Sequence, residues 1–169
     1  LRSVVICMEP HPYVSLGAPY GNAADPFCLR QGVRSRLLAA QVHLQGITSG
    51  VGLQPLRFGI FDAWRPVSVQ SFMVSHAIEQ ECARQGIDPE DSEQLNRLES
   101  VRSEVARFWA PPSSDFSIPP PHSTGAAVDL TLIDAKGNPL DMGGEIDAIG
   151  PESLPLHHAD AALNHPDGA

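Results

Sequence analysis

The stretch "HSTGAAVDLTL", His122 to Leu132, sets a histidine and an aspartate seven positions apart around a glycine, at the start of a run with the rhythm of a buried strand. Val128, Leu130 and Leu132 alternate with Asp129 and Thr131, the two-residue period of a β-strand. On a single helix, a separation of seven would keep His122 and Asp129 on one face but about 10 Å apart at 1.5 Å per residue. A metal ion holds histidine nitrogen and carboxylate oxygen at roughly 2.0 to 2.2 Å each, so one helix cannot bring the pair to a shared ion. A strand with Asp129 at its end, and a tight turn through Gly125 folding His122 back beside it, can do so, and Gly125 has no Cβ to obstruct the return. A carboxylate between Val128 and Leu130 is costly to bury unless a cation or donors meet it. Two readings stand at this point. One is a metal pair, and the other is a buried aspartate capping a turn beside a packed core histidine.

The rest of the chain sets the frame for that stretch. Its 169 residues suffice for one domain with a sizeable core and are few for two. A hydrophobic share of 42% against a charged share of 18% indicates a folded chain rather than a disordered one. The net charge of -9, with no run of Lys or Arg, argues against a nucleic-acid partner. The apolar run Val4 to Met8 is far too short to span a membrane, and it lacks the flanks of a secretory signal, so no membrane partner is expected. Cys7, Cys28 and Cys82 show no CxxC spacing and read as free thiols. Together these features favour a cytoplasmic location. A periplasmic one is the alternative, since the sequence opens on Leu1 and not on Met. No feature of the sequence sets an oligomeric state.

Periodicity predicts three helices. The first is expected after Asp25 as cap and Pro26 in the first turn, with Leu29, Val33, Leu37, Ala40 and Leu44 on one face, stopping at Gly46. The second is expected from Pro66 to about Gly86 with Val69, Phe72, Met73, His76 and Ala77 inward, where His76 reads as a hydrogen-bonded core residue. A third is expected from Asp88 and Pro89, carrying Leu95, Leu98, Val101, Val105 and Phe108, until Pro111 and Pro112 end it. Leu56 to Phe61 reads as a strand, and Leu140 to Met142 as a strand returning after the turn "DAKGNP". A weak helical start is expected over Ala159 to Leu163. The expected fold is a single α+β domain, an antiparallel sheet carrying the site with helices packed on it.

Arg65 lies in "FDAWRP", where a strand hands over to a helix. Its planar donors suit a developing oxyanion or a substrate carboxylate, and the plainer reading is a salt bridge to Asp62 or another acid. Trp64 is expected to pack beside it.

The blocks "DAWRP" (62 to 66), "HSTGAAVDLTL" (122 to 132), "MGGEID" (142 to 147) and "HHAD" (157 to 160) stand in an order that resembles the zinc D-alanyl-D-alanine dipeptidases. These are a branch of the zinc DD-peptidases, which share a metal-site fold with the hedgehog signalling domain. The pattern HxxGxAxD, here His122, Gly125, Ala127 and Asp129, is common to the whole peptidase group, and the arginine block with "DLTL" points to the dipeptidase branch. The resemblance implies that His122 and Asp129 are two of three protein ligands to one catalytic Zn2+. Arg65 would stabilise the tetrahedral oxyanion, and the substrate would be a small D,D-dipeptide.

Two departures accompany the resemblance. Pro120 stands where the family has a serine, which leaves a shifted specificity open. The family's late Glu-x-x-His segment, supplying the general base and third ligand, is not found before Ala169, so the chain is expected to lack its C-terminal segment. His157, His158 and His165 are the histidines left to fill that place. The rival functions are a D,D-carboxypeptidase or endopeptidase acting on peptidoglycan stem peptides, and a metal-binding relative without catalysis.

Overall fold

The computed structural model describes residues 5–22, 24–157 and 159. Two short elements come first, β1 (Ile6–Cys7) and α1 (Pro12–Ser15), followed by the long α2 (Gln31–Gly50) and the strand β2 (Arg57–Asp62). Then come α3 (Val67–Gln85), α4 (Leu95–Val105) and β3 (Asp129–Ile133). His158, His165 and most of the helical start expected toward Leu163 lie outside the described residues.

The fold is α+β, as expected, and its sheet is mixed. β2 lies between β1, which it pairs in parallel, and β3, which it pairs antiparallel. The antiparallel expectation thus holds for the pair that carries the site residues, while β1 adds a parallel edge. Register runs Arg57↔Ile133, Gly59↔Thr131 and Ile60↔Leu130, then jumps so that Asp62 faces Asp129. That irregularity is a bulge, a device that re-aims side chains at a strand end.

α3 and α4 interleave as their spacing predicts. Val69, Met73, Ala77 and Cys82 meet Leu98, Val101, Val105 and Trp109 in one buried cluster, each aliphatic side chain contributing roughly 1.5 to 3 kcal/mol by leaving water. Gly86 ends α3 in the left-handed conformation that a residue without Cβ adopts cheaply. A second cluster, Val5, Phe27, Leu37, Ile60 and Ala63, joins α2 to the sheet. The fully buried Gln41 clips the two together, donating from Nε2 to the Leu56 carbonyl and accepting the Phe58 N–H on Oε1.

Several boundaries differ from expectation for local reasons. α2 begins at Gln31 because Asp25 caps a turn, accepting the Phe27 N–H, and the Pro26 carbonyl takes the N–H groups of Ala63 and Trp64. The segment expected to be helical instead braces the end of β2. Asp88 likewise caps only a turn, and Asp91 caps the short 3-10 turn Ser92–Gln94 that leads into α4. The strand expected at Leu140 is reduced to a bridge between Ile133 and Pro139 and one bond from the Leu140 N–H to Leu132. Pro139 has no N–H with which to extend a ladder.

β3 has the expected period. Thr131 and Ile133 are buried, at 5% and 0% exposure, while Leu130 is 39% exposed. Asp129 shares their face, and in a strand one residue's orientation determines that of every second neighbour. Leu130 instead lines a surface groove together with Leu140 and Met142.

Candidate metal centre

The bulge turns the end of β2 toward the start of β3, and the loop before β3 is stitched across that end. His122 opens a 3-10 turn closed by Gly125 at φ 69°. The His122 carbonyl accepts N–H bonds from Gly125 and Arg65, and the Ser123 hydroxyl donates to the Arg65 carbonyl. The Gly125 carbonyl accepts from the Arg30 N–H.

His122 Nδ1 lies 2.9 Å from the Ala63 carbonyl, an atom that can only accept. Nδ1 therefore carries a proton, and in the neutral ring Nε2 presents its lone pair. That lone pair stands 3.3 Å from Asp129 Oδ1. Two acceptors at this distance repel unless a proton or a cation lies between them. Burial lowers the affinity of His122 for a proton, but the bond and charge of Asp129 outweigh it, and the net shift is upward. The residues fit a divalent metal by the same chemistry: an imidazole held by its second nitrogen, and a carboxylate beside it. Tetrahedral ligands at roughly 2.0 to 2.2 Å from zinc stand about 3.4 Å from one another, close to the observed separation.

Asp62 brings a third ligand-type atom into the group, with all three within 4.8 Å. Its oxygens are engaged elsewhere. Oδ1 accepts from Tyr20 at 2.7 Å and from His11 Nε2 at 3.3 Å, and Oδ2 accepts Arg65 Nε at 2.8 Å. Burial alone would push this carboxyl up, yet the His11 bond, the Arg65 charge and the Tyr20 bond hold it below the ordinary carboxylate range.

Arg65 is 3% exposed. Besides Asp62, it donates through one terminal nitrogen to Gln70 Oε1 at 2.9 Å and through the other to Asp129 Oδ2 at 3.0 Å. The salt bridge to Asp62 foreseen as its plainer role is present, and the second bridge points the guanidinium at the candidate ligand. The aromatic faces over it belong to Tyr13 and Trp109, at 4.9 and 5.3 Å, and not to Trp64. Trp64 packs instead by Gly125, where its ring would lie 3.9 Å from a Cβ.

A cleft of about 450 Å³ opens onto Arg65, His122 and Asp129, with Trp109 and Asp147 also in its wall. Asp147 escaped the reading of the sequence as a site residue. It adopts φ 59°, unusual for a residue with a side chain, and its carboxylate reaches inward to accept the Tyr13 hydroxyl at 3.1 Å. The surrounding cleft walls desolvate this carboxyl and push it up to about 6. The one signal for it was the block "MGGEID". His157 is exposed and stands outside the metal-type cluster. His76 stacks on Phe72, and its buried Nε2 finds no hydrogen-bond partner among the described residues, unlike the bonded core histidine expected.

What the fold and the donor set define is an α+β domain with a candidate mononuclear metal centre at paired strand ends and a buried arginine beside it. The chain matches the peptidase M15 family, described as D-ala-D-ala dipeptidase, over residues 11–164, and it belongs to that family. It is 40% identical over 156 residues to a D-alanyl-D-alanine dipeptidase of Synechocystis sp., an alignment covering 89% of this chain and 58% of that protein. The chain therefore spans less than two thirds of the length of that relative. No solved structure matches it.

Proposed function

We propose that this protein is a zinc-dependent dipeptidase that hydrolyses D-alanyl-D-alanine, with His122 and Asp129 as metal ligands and Arg65 as the oxyanion partner. The observation that carries the reading is the His122 Nε2 lone pair held 3.3 Å from the Asp129 carboxylate, beside a guanidinium already turned toward Asp129. Family membership and the similarity to the Synechocystis dipeptidase support the substrate class. One Zn2+ per chain, when bound by this pair, supplies the Lewis acidity that acidifies water and polarises a peptide carbonyl.

The chain's own groups do the rest. The Ala63 carbonyl keeps His122 in the tautomer that offers Nε2. Arg65, locked by Asp62 and Gln70, meets negative charge that appears only as the carbonyl carbon becomes tetrahedral, so its contribution falls on the barrier and not on substrate binding. Asp147 sets a carboxylate across the cleft, where the free ammonium of a dipeptide is the complementary group. The third ligand and general base are the groups that the resemblance attributes to the family's Glu-x-x-His segment. Among the described residues no helix is long and apolar enough to cross a membrane. Cys7, Cys28 and Cys82 form no disulfide among the described residues, and the place of action we propose is the cytoplasm.

The test is D-alanine release from D-Ala-D-Ala by the full-length protein, with and without a zinc chelator. Chelator-sensitive release is expected, and Arg65→Lys should lower kcat by about 10²- to 10³-fold with a smaller change in KM. Faster cleavage of a stem peptide ending in D-Ala-D-Ala than of the free dipeptide would move the assignment to a carboxypeptidase. Zinc binding without turnover of either substrate would leave a binding protein.

A further inference from the structure

Arg65 owes its orientation to Asp62, and Asp62 is itself held from behind. His11 and Tyr20 both meet the carboxylate on Oδ1, the oxygen that Arg65 does not use. The Val14 N–H donates to His11 Nδ1 at 3.3 Å, so Nε2 carries the proton and is the donor to Asp62. The His11 ring is wedged edge-on among Tyr13, Tyr20 and Phe27, with centroids 5.2 to 5.6 Å away. The residue is 7% exposed and Asp62 0%.

A carboxylate with one partner can pivot about its last bond and exchange its oxygens. Two donors fixed on Oδ1 remove that freedom and leave Oδ2 to the Arg65 Nε–H. They have a second effect, because Asp62 lies within ligand distance of His122 and Asp129. A carboxylate saturated by donors does not compete with Asp129 for the cation. We infer that His11 and Tyr20 are positioning residues, acting through Asp62 to aim the Arg65 guanidinium and to keep Asp62 out of the metal's coordination. The inference rests on the reading of Arg65 as the oxyanion partner.

The experiment uses the zinc-loaded full-length protein and the variants Tyr20→Phe, His11→Asn and His11→Gln. Asparagine retains an acceptor for the Val14 N–H but offers no donor at the Nε2 position, whereas the glutamine amide nitrogen reaches it. Misorientation of a catalytic group by a fraction of an ångström typically costs about 10-fold or more. Tyr20→Phe and His11→Asn should each lower kcat by about 10-fold with KM within about 2-fold, and His11→Gln should recover most of the loss. Affinity for a phosphinate analogue of the dipeptide should fall in the same proportion as kcat, while bound zinc stays at one per chain.

The second readout needs no turnover. The Arg65 Nε–H resonance should be slow to exchange in the parent and in His11→Gln, and fast in His11→Asn and Tyr20→Phe. Unchanged exchange in both deleting variants overturns the inference, as does a kcat loss that follows zinc loss or a lowered melting temperature. A parent protein that hydrolyses no D,D-peptide overturns the dipeptidase reading instead, and the exchange measurement still decides the positioning role.

Discussion

The two walls of the cleft are built on opposite plans. The wall formed by residues 62–65 and 122–129 is tied across the chain by side chains: Asp62 and Arg65 are almost fully buried, and every polar group named there has a partner from another segment. The wall formed by residues 141–157 is mostly exposed, and its bonds close short turns, such as Gly143 N–H to Asp141 and the Ser153 hydroxyl to Ala148. It meets the body of the protein through the Tyr13–Asp147 bond and the packing of Ile149 on the helical cluster. The contrast teaches where precision is required. The groups proposed to meet a metal and a developing charge sit where side chains cannot turn. The opposite wall is mostly exposed and built of short turns, the kind of region that opens at low cost.

The largest effect should come from breaking the rigid wall at its metal pair. Asp129→Ala should lose bound zinc and lower dipeptide hydrolysis by at least about 10³-fold, read by metal analysis and D-alanine release. Retention of one zinc with near-normal rates would remove Asp129 from the site. A smaller effect is expected at the turn that presents His122. Gly125→Ala forces a side chain to φ 69°, which should cost about 1 to 2 kcal/mol in chemical denaturation and weaken zinc binding measurably.

The smallest effect is expected on the exposed wall, and it should depend on pH. The Asp147 carboxyl is raised to about 6 in the folded protein from an ordinary value near 3.8. Ionisation there is disfavoured by folding, so the penalty is complete above about pH 6 and vanishes as pH falls toward 3.8. Asp147→Asn should melt above the parent at pH 7, and the gap should narrow as pH drops through that window. A gap that is constant with pH would mean that only the backbone conformation matters.

What the sequence disclosed divides along the same lines. α3 and α4 were legible because their apolar spacing and their packing agree. Arg65, His122 and Asp129 each sit in a compact local pattern that singles them out, and the structure brings them together in one cleft. The groups that complete the surroundings come from far along the chain: Tyr13 and Trp109 over the guanidinium, Gln70 on its edge, Asp147 across the cleft. No local period links such residues. Which face of β3 turns inward is not written in its period: Thr131 and Ile133 are buried and Leu130 is exposed.

The irregularity between Ile60 and Asp62 amounts to a spacer of one residue. Up to Ile60 the strand keeps step with β3, and Phe61 then takes up a beat that β3 does not match, so that the two aspartates end opposite one another. Removing Phe61 would set Asp62 directly after Ile60 and still opposite Asp129, so the bulge governs how Asp62 and Arg65 are aimed and not which residue of β3 they meet. Any grafting of this centre onto another pair of strands that is to keep this aim has to carry the extra residue with it.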